Sequence, residues 1–277
     1  MNSDGSVDIG NFRSLLDFHI HNKTDGVVVL GTSGECPTID FKEHTFLVKE
    51  AVNHINGRIP VIAGTGANST QEAIYLTQSA KDVGTDACLL VTPYYNKPNQ
   101  KGLFEHYKAI NDAVEIPQIL YNVPSRTGCD LENETVILLS QLSNIIGIKD
   151  ATGELERIDL IKDKVKQSFI FISGDDLSFL EYMKRGGCGV ISVTANIKPD
   201  LMQAICSDIL KGDVEKAEKM NEQLKNLHKA MFIESNPIPV KWLLNYLGFI
   251  NKGIRLPLVE LDKKYHLDLI KAYEDIK

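Results

Sequence analysis

Seven short apolar runs, rich in β-branched residues, recur along this chain: 26–30 (GVVVL), 59–63 (IPVIA), 87–91 (ACLLV), 118–121 (QILY), 145–148 (IIGI), 169–172 (FIFI) and 189–193 (GVISV). None alternates polar with apolar residues, so each reads as a strand covered on both faces, as in a parallel sheet. Their starts lie 33, 28, 31, 27, 24 and 20 residues apart, which leaves room for a crossover helix between each pair. The intervening segments carry helical patterns. Segment 40–55 has apolar residues at Phe41, Phe46, Leu47, Ala51, Val52 and Ile55, and 68–83 opens on the capping cluster N-S-T-Q-E. Segments 101–114, 131–142, 154–165 and 175–184 follow suit, and a first helix is expected over 7–21. Past the seventh strand the alternation stops, and 199–210, 214–232, 239–246 and 259–276 read as consecutive helices. The charged stretch 215–229 is a solvated helical face.

Repeated βα units build either an open doubly wound sheet or a closed (β/α)8 barrel. No G-x-G-x-x-G or G-x-x-x-x-G-K-[ST] motif opens a helix, which weakens the nucleotide-binding open sheet. Gly64 and Gly66 lack a third glycine and are taken as turn residues. At 277 residues the chain fits one α/β barrel of about 250 residues better than two domains. Thirty basic against 37 acidic residues give a net charge of −7, which argues against a nucleic-acid partner. No apolar stretch reaches the ~18 residues of a membrane span.

Five cysteines, Cys36, Cys88, Cys129, Cys188 and Cys206, are scattered without a C-x-x-C pair. With the polar opening MNSDGSVDIG they point to a reducing, cytoplasmic setting. Cys88 and Cys188 are expected to be small packing residues. The seven histidines form no H-x-x-x-H or H-E-x-x-H pattern, so no metal site is expected. A Ser–His–Asp arrangement lacks its G-x-S-x-G elbow.

The C-terminal ends of the runs carry residues that a packed core would not choose. GVVVL is followed by Gly31-Thr32-Ser33-Gly34-Glu35, ACLLV by Thr92-Pro93-Tyr94-Tyr95-Asn96, and QILY leads into Asn122-Val123-Pro124-Ser125-Arg126. IIGI runs straight into Lys149-Asp150, and FIFI into Ser173-Gly174-Asp175-Asp176. In a barrel these ends meet at one rim, where active sites are built. A lysine amine desolvated at such a rim is more often in its free, nucleophilic form, able to form an imine with a ketone. A strand-end lysine pointing to solvent is the commoner arrangement, so Lys149 alone decides little. Tyr121, Tyr95 and Tyr94 are candidates for the proton transfers that imine chemistry needs. Thr32 and Ser33 offer hydroxyls and turn N–H groups to a carboxylate, or merely cap the turn. Arg126 offers a planar fork to a second carboxylate, or a surface ion pair.

Taken together, GTSGE (31–35), VTPYYNKP (91–98), YNVPSRTG (121–128), GIKDATG (147–153), SGDD (173–176), GVISVTAN (189–196) and ESNPIPVKW (234–242) resemble the dihydrodipicolinate synthase family. This family is a branch of the class I pyruvate-dependent aldolases, which also include N-acetylneuraminate lyase. The resemblance runs from about Asp4 to the C-terminus. It implies a TIM (β/α)8 barrel over 1–212 with a C-terminal helical domain over 213–277. The implied reaction is Schiff-base condensation of pyruvate with L-aspartate 4-semialdehyde, giving 4-hydroxy-tetrahydrodipicolinate on the way to diaminopimelate and lysine. Lys149 matches the imine-forming lysine, Tyr121 the proton-relaying tyrosine, Thr32 the hydroxyl between the two relay tyrosines, and Tyr95 the tyrosine given across a tight-dimer interface. Arg126 matches the binder of the semialdehyde carboxylate. Ser33 stands where threonine is usual, and Gly174 and Ile191 match positions lining the pyruvate pocket.

No cofactor or metal is implied, and the assembly implied is a homotetramer built from two dimers. Asn68, Glu72, Tyr94 and His44 match an allosteric lysine site. Phe41 in place of histidine and Cys36-Pro37 in place of small residues imply weak or absent inhibition. Sugar-acid aldolases and N-acetylneuraminate lyase share the lysine but generally lack the arginine of S-R-T-G, so they are the alternative, with a non-catalytic binding homologue behind them. Relatives of this kind begin with a further strand before the segment matching 2–6. The resemblance therefore implies a seven-stranded, incomplete barrel here, or a native start upstream of Met1.

Overall fold

The computed structural model describes residues 1–276. The seven apolar runs form seven strands: β1 (Val27–Val29), β2 (Val61–Gly64), β3 (Ala87–Val91), β4 (Gln118–Asn122), β5 (Ile145–Asp150), β6 (Ile170–Ser173) and β7 (Gly189–Val190). Each pairs in parallel with the next in chain order, giving a single curled sheet. The α/β class and the parallel sheet are as the sequence predicts.

Among the described residues twelve α-helices accompany the strands: α1 (Ile9–His21), α2 (Phe41–Ile55), α3 (Thr70–Asp82), α4 (Gln100–Ala113), α5 (Pro124–Thr127), α6 (Asn133–Leu139), α7 (Glu156–Ile161), α8 (Phe179–Lys184), α9 (Pro199–Lys211), α10 (Val214–Ala230), α11 (Ile238–Tyr246) and α12 (His266–Glu274). Side chains that accept from first-turn N–H groups start several of them: Asp8 for α1, Asp40 for α2, Ser69 for α3 and Asn99 for α4. No helix among the described residues is long and apolar enough to cross a membrane.

Successive strand residues face opposite ways. Leu90, Leu120 and Ile148 join a core with α4, α6 and α7, while Leu89, Ile119, Tyr121 and Ile172 join a second cluster on the sheet's inner face. A third cluster unites Phe179, Met183 and Ile205 of α8 and α9 with Leu224, Leu227, Leu243 and Leu269 of α10 to α12. The helical C-terminal region thus shares one core with the helices around β6 and β7.

Several local expectations need correction. The seventh run ends as a strand at Val190, not Val193. The Oδ2 of buried Asp176 accepts from the N–H groups of Val193 and Thr194, at 2.9 and 3.0 Å, and pulls the chain into a 3₁₀ turn over Thr194–Asn196. Helix α8 begins at Phe179, not 175, because Asp175 turns its carboxylate onto Ser178 N–H and hydroxyl. Of segment 259–276 only His266–Glu274 is α-helical, after a 3₁₀ turn over Lys263–Tyr265. Gly64 lies within β2 rather than in a turn. A Cβ there would stand 2.3 Å from the Leu30 carbonyl oxygen, and one on Gly66 would stand 2.3 Å from Val91 N, so close approach of neighbouring strands requires both glycines. Cys188 is exposed beside the end strand β7, whereas Cys88 is buried as expected.

Candidate active site

The C-terminal ends of the strands open on a cavity of about 660 Å³ lined by Thr32, Ser33, Tyr121, Arg126, Lys149, Gly174 and Ile191. Seven of the sequence-predicted residues, from five separate chain segments, therefore meet at one place.

Lys149 lies within β5, because that strand continues two residues past the apolar run. Its inward-facing neighbour across the sheet is Tyr121 of β4, its register partner. Lys149 Nζ stands 4.0 Å from the centre of the Tyr121 ring. The lysine is only 8% exposed, so the amine is held in a largely desolvated pocket. Gly174, at the end of β6, makes room for it: a Cβ there would come within 2.9 Å of Lys149 Cε and 2.7 Å of Ala151 Cβ. Ile191 N–H donates to the Ser173 carbonyl at 3.0 Å, which carries the site wall from β6 to β7.

Asp150 follows Lys149 but faces the other side of the sheet. Its Oδ1 accepts from Thr152 N–H and hydroxyl at 2.8 and 2.7 Å, and Arg157 Nε stands 3.4 Å from its Oδ2. Burial raises the Asp150 carboxyl above the ordinary carboxylate range, against those hydrogen bonds and the arginine charge. These contacts anchor the backbone directly after Lys149.

Thr32 and Ser33 sit in a 3₁₀ turn that ends on Glu35, whose backbone is left-handed at φ +56°. Glu35 is buried. It pairs with Lys241 Nζ through Oε1 and accepts from Arg255 N–H through Oε2 at 2.9 Å. Arg255 in turn forms a two-pronged pair with Glu43, at 2.7 Å on each side. Arg126 lies on α5, a single turn started by Pro124 that the sequence reading missed. Asn236 was also missed: its amide faces Ser33 Oγ, and its carbonyl accepts from Arg126 Nη2 at 3.3 Å. The Asn-Pro step inside ESNPIPVKW marks a turn there, but not its distant partners.

Tyr95 does not join the cavity. It is 89% exposed, with a left-handed backbone at φ +73°. Of the residues matched to lysine binding, His44, Glu72 and Tyr94 line the same cavity, while the Asn68 carbonyl is taken by Asn96 Nδ2 at 2.8 Å. His44 Nε2 bonds the Gly64 carbonyl at 2.8 Å, and burial holds the ring below its ordinary pKa. Burial raises the Tyr94 hydroxyl, with the Glu72 charge adding to it. Cys36 also lines the cavity, and burial pushes its thiol up to about 11, which keeps it protonated and unreactive.

A desolvated primary amine at a strand end, a phenol against it and a guanidinium on the same cavity form the equipment of an imine-forming lyase acting on carboxylated substrates. Comparison with known proteins agrees. Residues 1–276 match the model of the dihydrodipicolinate synthetase family. The chain is 52% identical over 272 residues to the 4-hydroxy-tetrahydrodipicolinate synthase of Saccharophagus degradans, covering 98% of this chain and 94% of that protein. It is 55% identical over 261 residues to that of Methylococcus capsulatus, covering 94% and 90%. The crystal structure of the chloride-inhibited dihydrodipicolinate synthase of Acinetobacter baumannii complexed with pyruvate superposes with a TM-score of 0.96. It is 50% identical, with 100% of this chain and 95% of that one covered. A monomeric dihydrodipicolinate synthase variant, 37% identical, also superposes at 0.96. The chain belongs to the dihydrodipicolinate synthetase family.

Proposed function

We propose that this enzyme is a lyase that condenses pyruvate with L-aspartate 4-semialdehyde to 4-hydroxy-tetrahydrodipicolinate, in the route to diaminopimelate and lysine. The observation that carries the reading is the buried Lys149 amine against the Tyr121 ring in a cavity shared with Arg126. The Lys149 amine adds to the pyruvate ketone and, with loss of water, forms an imine. Loss of a methyl proton gives an enamine, the electron pair being held by the imine nitrogen. The enamine carbon attacks the aldehyde, and the substrate's own amine then closes the ring by displacing Lys149.

Tyr121 relays protons in these steps, with Thr32 linking it to Tyr95 of a second copy. The exposure of Tyr95 supports that assignment, because a tyrosine so placed is free to reach a neighbour. Arg126 receives the carboxylate of the semialdehyde, Ser33 contributes its hydroxyl, and Gly174 and Ile191 shape the pyruvate pocket. A dimer is then the minimal active unit, and a homotetramer the full assembly, in the cytoplasm. Asn68, Glu72, Tyr94 and His44 would form a lysine site of weak effect.

The first strand of a (β/α)8 barrel belongs in the gap between β1 and β7, since Val27, Val28 and Val190 from those two end strands line the same cavity. Residues 1–212 form the catalytic barrel domain and 213–277, of which 277 lies outside the described residues, a helical domain buttressing it through the shared core of α8 to α12.

The test is a pair of assays, pyruvate with aspartate semialdehyde and pyruvate with N-acetylmannosamine. Turnover in the first supports the synthase. Turnover confined to the second makes the protein an N-acetylneuraminate lyase.

A further inference from the structure

The strand that carries Lys149 changes register on its way to the site. Gln118 of β4 pairs with Ile145, but Ile119 pairs with Gly147, which leaves Ile146 as an extra residue on β5. Ile145 and Ile148 consequently share the outer core with the helices, although residues three apart in an unbroken strand face opposite ways. Ile146 packs with the inner cluster instead. Gly147 lets the strand pass here, since a Cβ on it would stand 2.3 Å from Ile170 Cγ1. The shift decides where the nucleophile points. With unbroken alternation from Ile145, Lys149 would face outward with Ile145 and away from Tyr121.

A set of contacts on the outer face closes on the end of this shifted ladder. Asn122 and Asp150 are register partners one step beyond Tyr121 and Lys149, and both are buried. The loop before α6 takes up the Asn122 carboxamide: Nδ2 donates to Asp130 Oδ1 at 2.7 Å, and Oδ1 accepts from Leu131 N–H at 3.0 Å. Arg157 of α7 joins that loop to β5. Its Nη1 donates to Asp130 Oδ2 at 3.0 Å and its Nη2 to the Leu131 carbonyl at 2.6 Å, while Nε stands 3.4 Å from Asp150 Oδ2. These partners fit the shifted register. In the unshifted one, the Lys149 ammonium would face the buried Arg157 guanidinium where the Asp150 carboxylate now stands.

We propose that Arg157 and Asp130 are positioning residues that lock, from the outer face of the sheet, the β4–β5 register holding the Lys149 amine against Tyr121. Neither lines the cavity, so each acts through the two strand ends. The inference rests on the imine steps of the proposed reaction, and the identity of the aldehyde does not enter it.

Asp130→Asn weakens the clamp at its solvent side, where the side chain is 39% exposed, and Arg157→Met removes its centre. The assay is exchange of pyruvate methyl protons for deuterium in heavy water, followed by proton NMR. Exchange needs the Lys149 imine, loss of a methyl proton from it to give the enamine, and return of a deuteron to the same carbon. In each variant the exchange rate falls about tenfold, the effect of a sub-ångström misplacement of reacting groups, while the borohydride-trapped Lys149 adduct stays within about twofold of wild type. In a Tyr121→Phe background, where the relay hydroxyl is already gone, Asp130→Asn lowers the remaining exchange by less than about twofold. Asp130→Asn carries the test by itself if Arg157→Met does not fold.

Wild-type exchange in Asp130→Asn overturns the proposal. An equal fall in the Tyr121→Phe background also overturns it, as does a fall in exchange matched by loss of adduct, since either marks a residue that serves stability alone. A wild-type protein that takes up no pyruvate on Lys149, or a Tyr121→Phe variant with wild-type exchange, defeats the imine reading instead. The crystal structure of Asp130→Asn then decides the clamp separately. A Lys149 amine displaced by about 0.5 Å or more from its place over the Tyr121 ring supports it, and an unmoved amine overturns it.

Discussion

Lys149 and Tyr121 are register partners on adjacent parallel strands, and the lysine Nζ lies 4.0 Å from the centre of the tyrosine ring. Parallel register turns both side chains to the same face. Strand pairing between β4 and β5 therefore sets the Lys149 amine against the Tyr121 ring, without a loop to adjust. Tyr121→Phe keeps the ring contact and removes only the hydroxyl. The expected outcome is a fall in kcat of about a hundredfold or more with the Lys149–pyruvate adduct still trapped, the signature of lost proton transfer. Wild-type turnover in the variant would remove Tyr121 from the mechanism.

Gly174 is dictated by crowding. An added Cβ meets Ala151 Cβ at 2.7 Å, Lys149 Cε at 2.9 Å and the Asp150 carbonyl oxygen at 3.2 Å. Gly174→Ala must push the lysine stem out of place, so kcat is expected to drop at least about tenfold, beyond what the change in melting temperature accounts for. An alanine variant with wild-type kcat would show that the stem has room to spare.

The ion pair between Glu35 and Lys241 is nearly sealed from solvent, with side-chain exposures of 4% and 12%. Burial is the main force lowering the Lys241 pKa, and its bond to Glu35 opposes it. Lys241→Met leaves the Glu35 carboxylate with the Arg255 N–H but no direct ion-pair partner, only the more distant charges of the Arg255 guanidinium and the N-terminus. A loss of about 3 kcal/mol in urea unfolding is expected, the cost of a buried charge that has lost its partner. Adding Glu35→Gln to that variant should restore part of it. If the double variant is no more stable than the single, the charge pair is not what the site loses.

Acid sensitivity follows from His106, whose Nδ1 lies 2.9 Å from Thr70 Oγ1 while Nε2 has no partner among the described residues. Burial lowers this ring from 6.5 to about 4. Between those values the unfolded chain binds a proton that the folded one does not, so stability falls as pH falls through the window. The full effect is about 3 kcal/mol, complete below pH 4. His44 and His228 are lowered by burial too and act in the same direction. Unfolding free energies at pH 7 and pH 5 should differ less in His106→Gln than in the wild type. Identical pH slopes would contradict this origin.

Much of the site was legible because its residues break a local rule. Thr32, Tyr121, Lys149 and Gly174 are polar or minimal residues at the ends of apolar strands, where packing alone would choose otherwise. Arg126 was visible from its motif, but not the one-turn helix that carries it, because four residues leave no periodicity to read. Asn236 was not legible. Its partners Ser33 and Arg126 are 203 and 110 residues away, and nothing within ESNPIPVKW distinguishes a bridging asparagine from a turn residue. The early end of β7 was hidden for a similar reason: Asp176 captures the N–H groups of Val193 and Thr194, and that side chain lies on a different segment. Local composition reports backbone preference and burial, whereas these features are set by single long-range hydrogen bonds.

Covalent capture of pyruvate by the Lys149 amine is the step on which the proposed condensation depends. The most direct measurement is borohydride reduction of the protein in the presence of pyruvate, followed by peptide mass analysis. The predicted result is a reduced pyruvate adduct on the peptide containing Lys149, absent without pyruvate and absent in Lys149→Arg. A folded protein that gains no adduct, or one that carries it on a different lysine, would contradict the account.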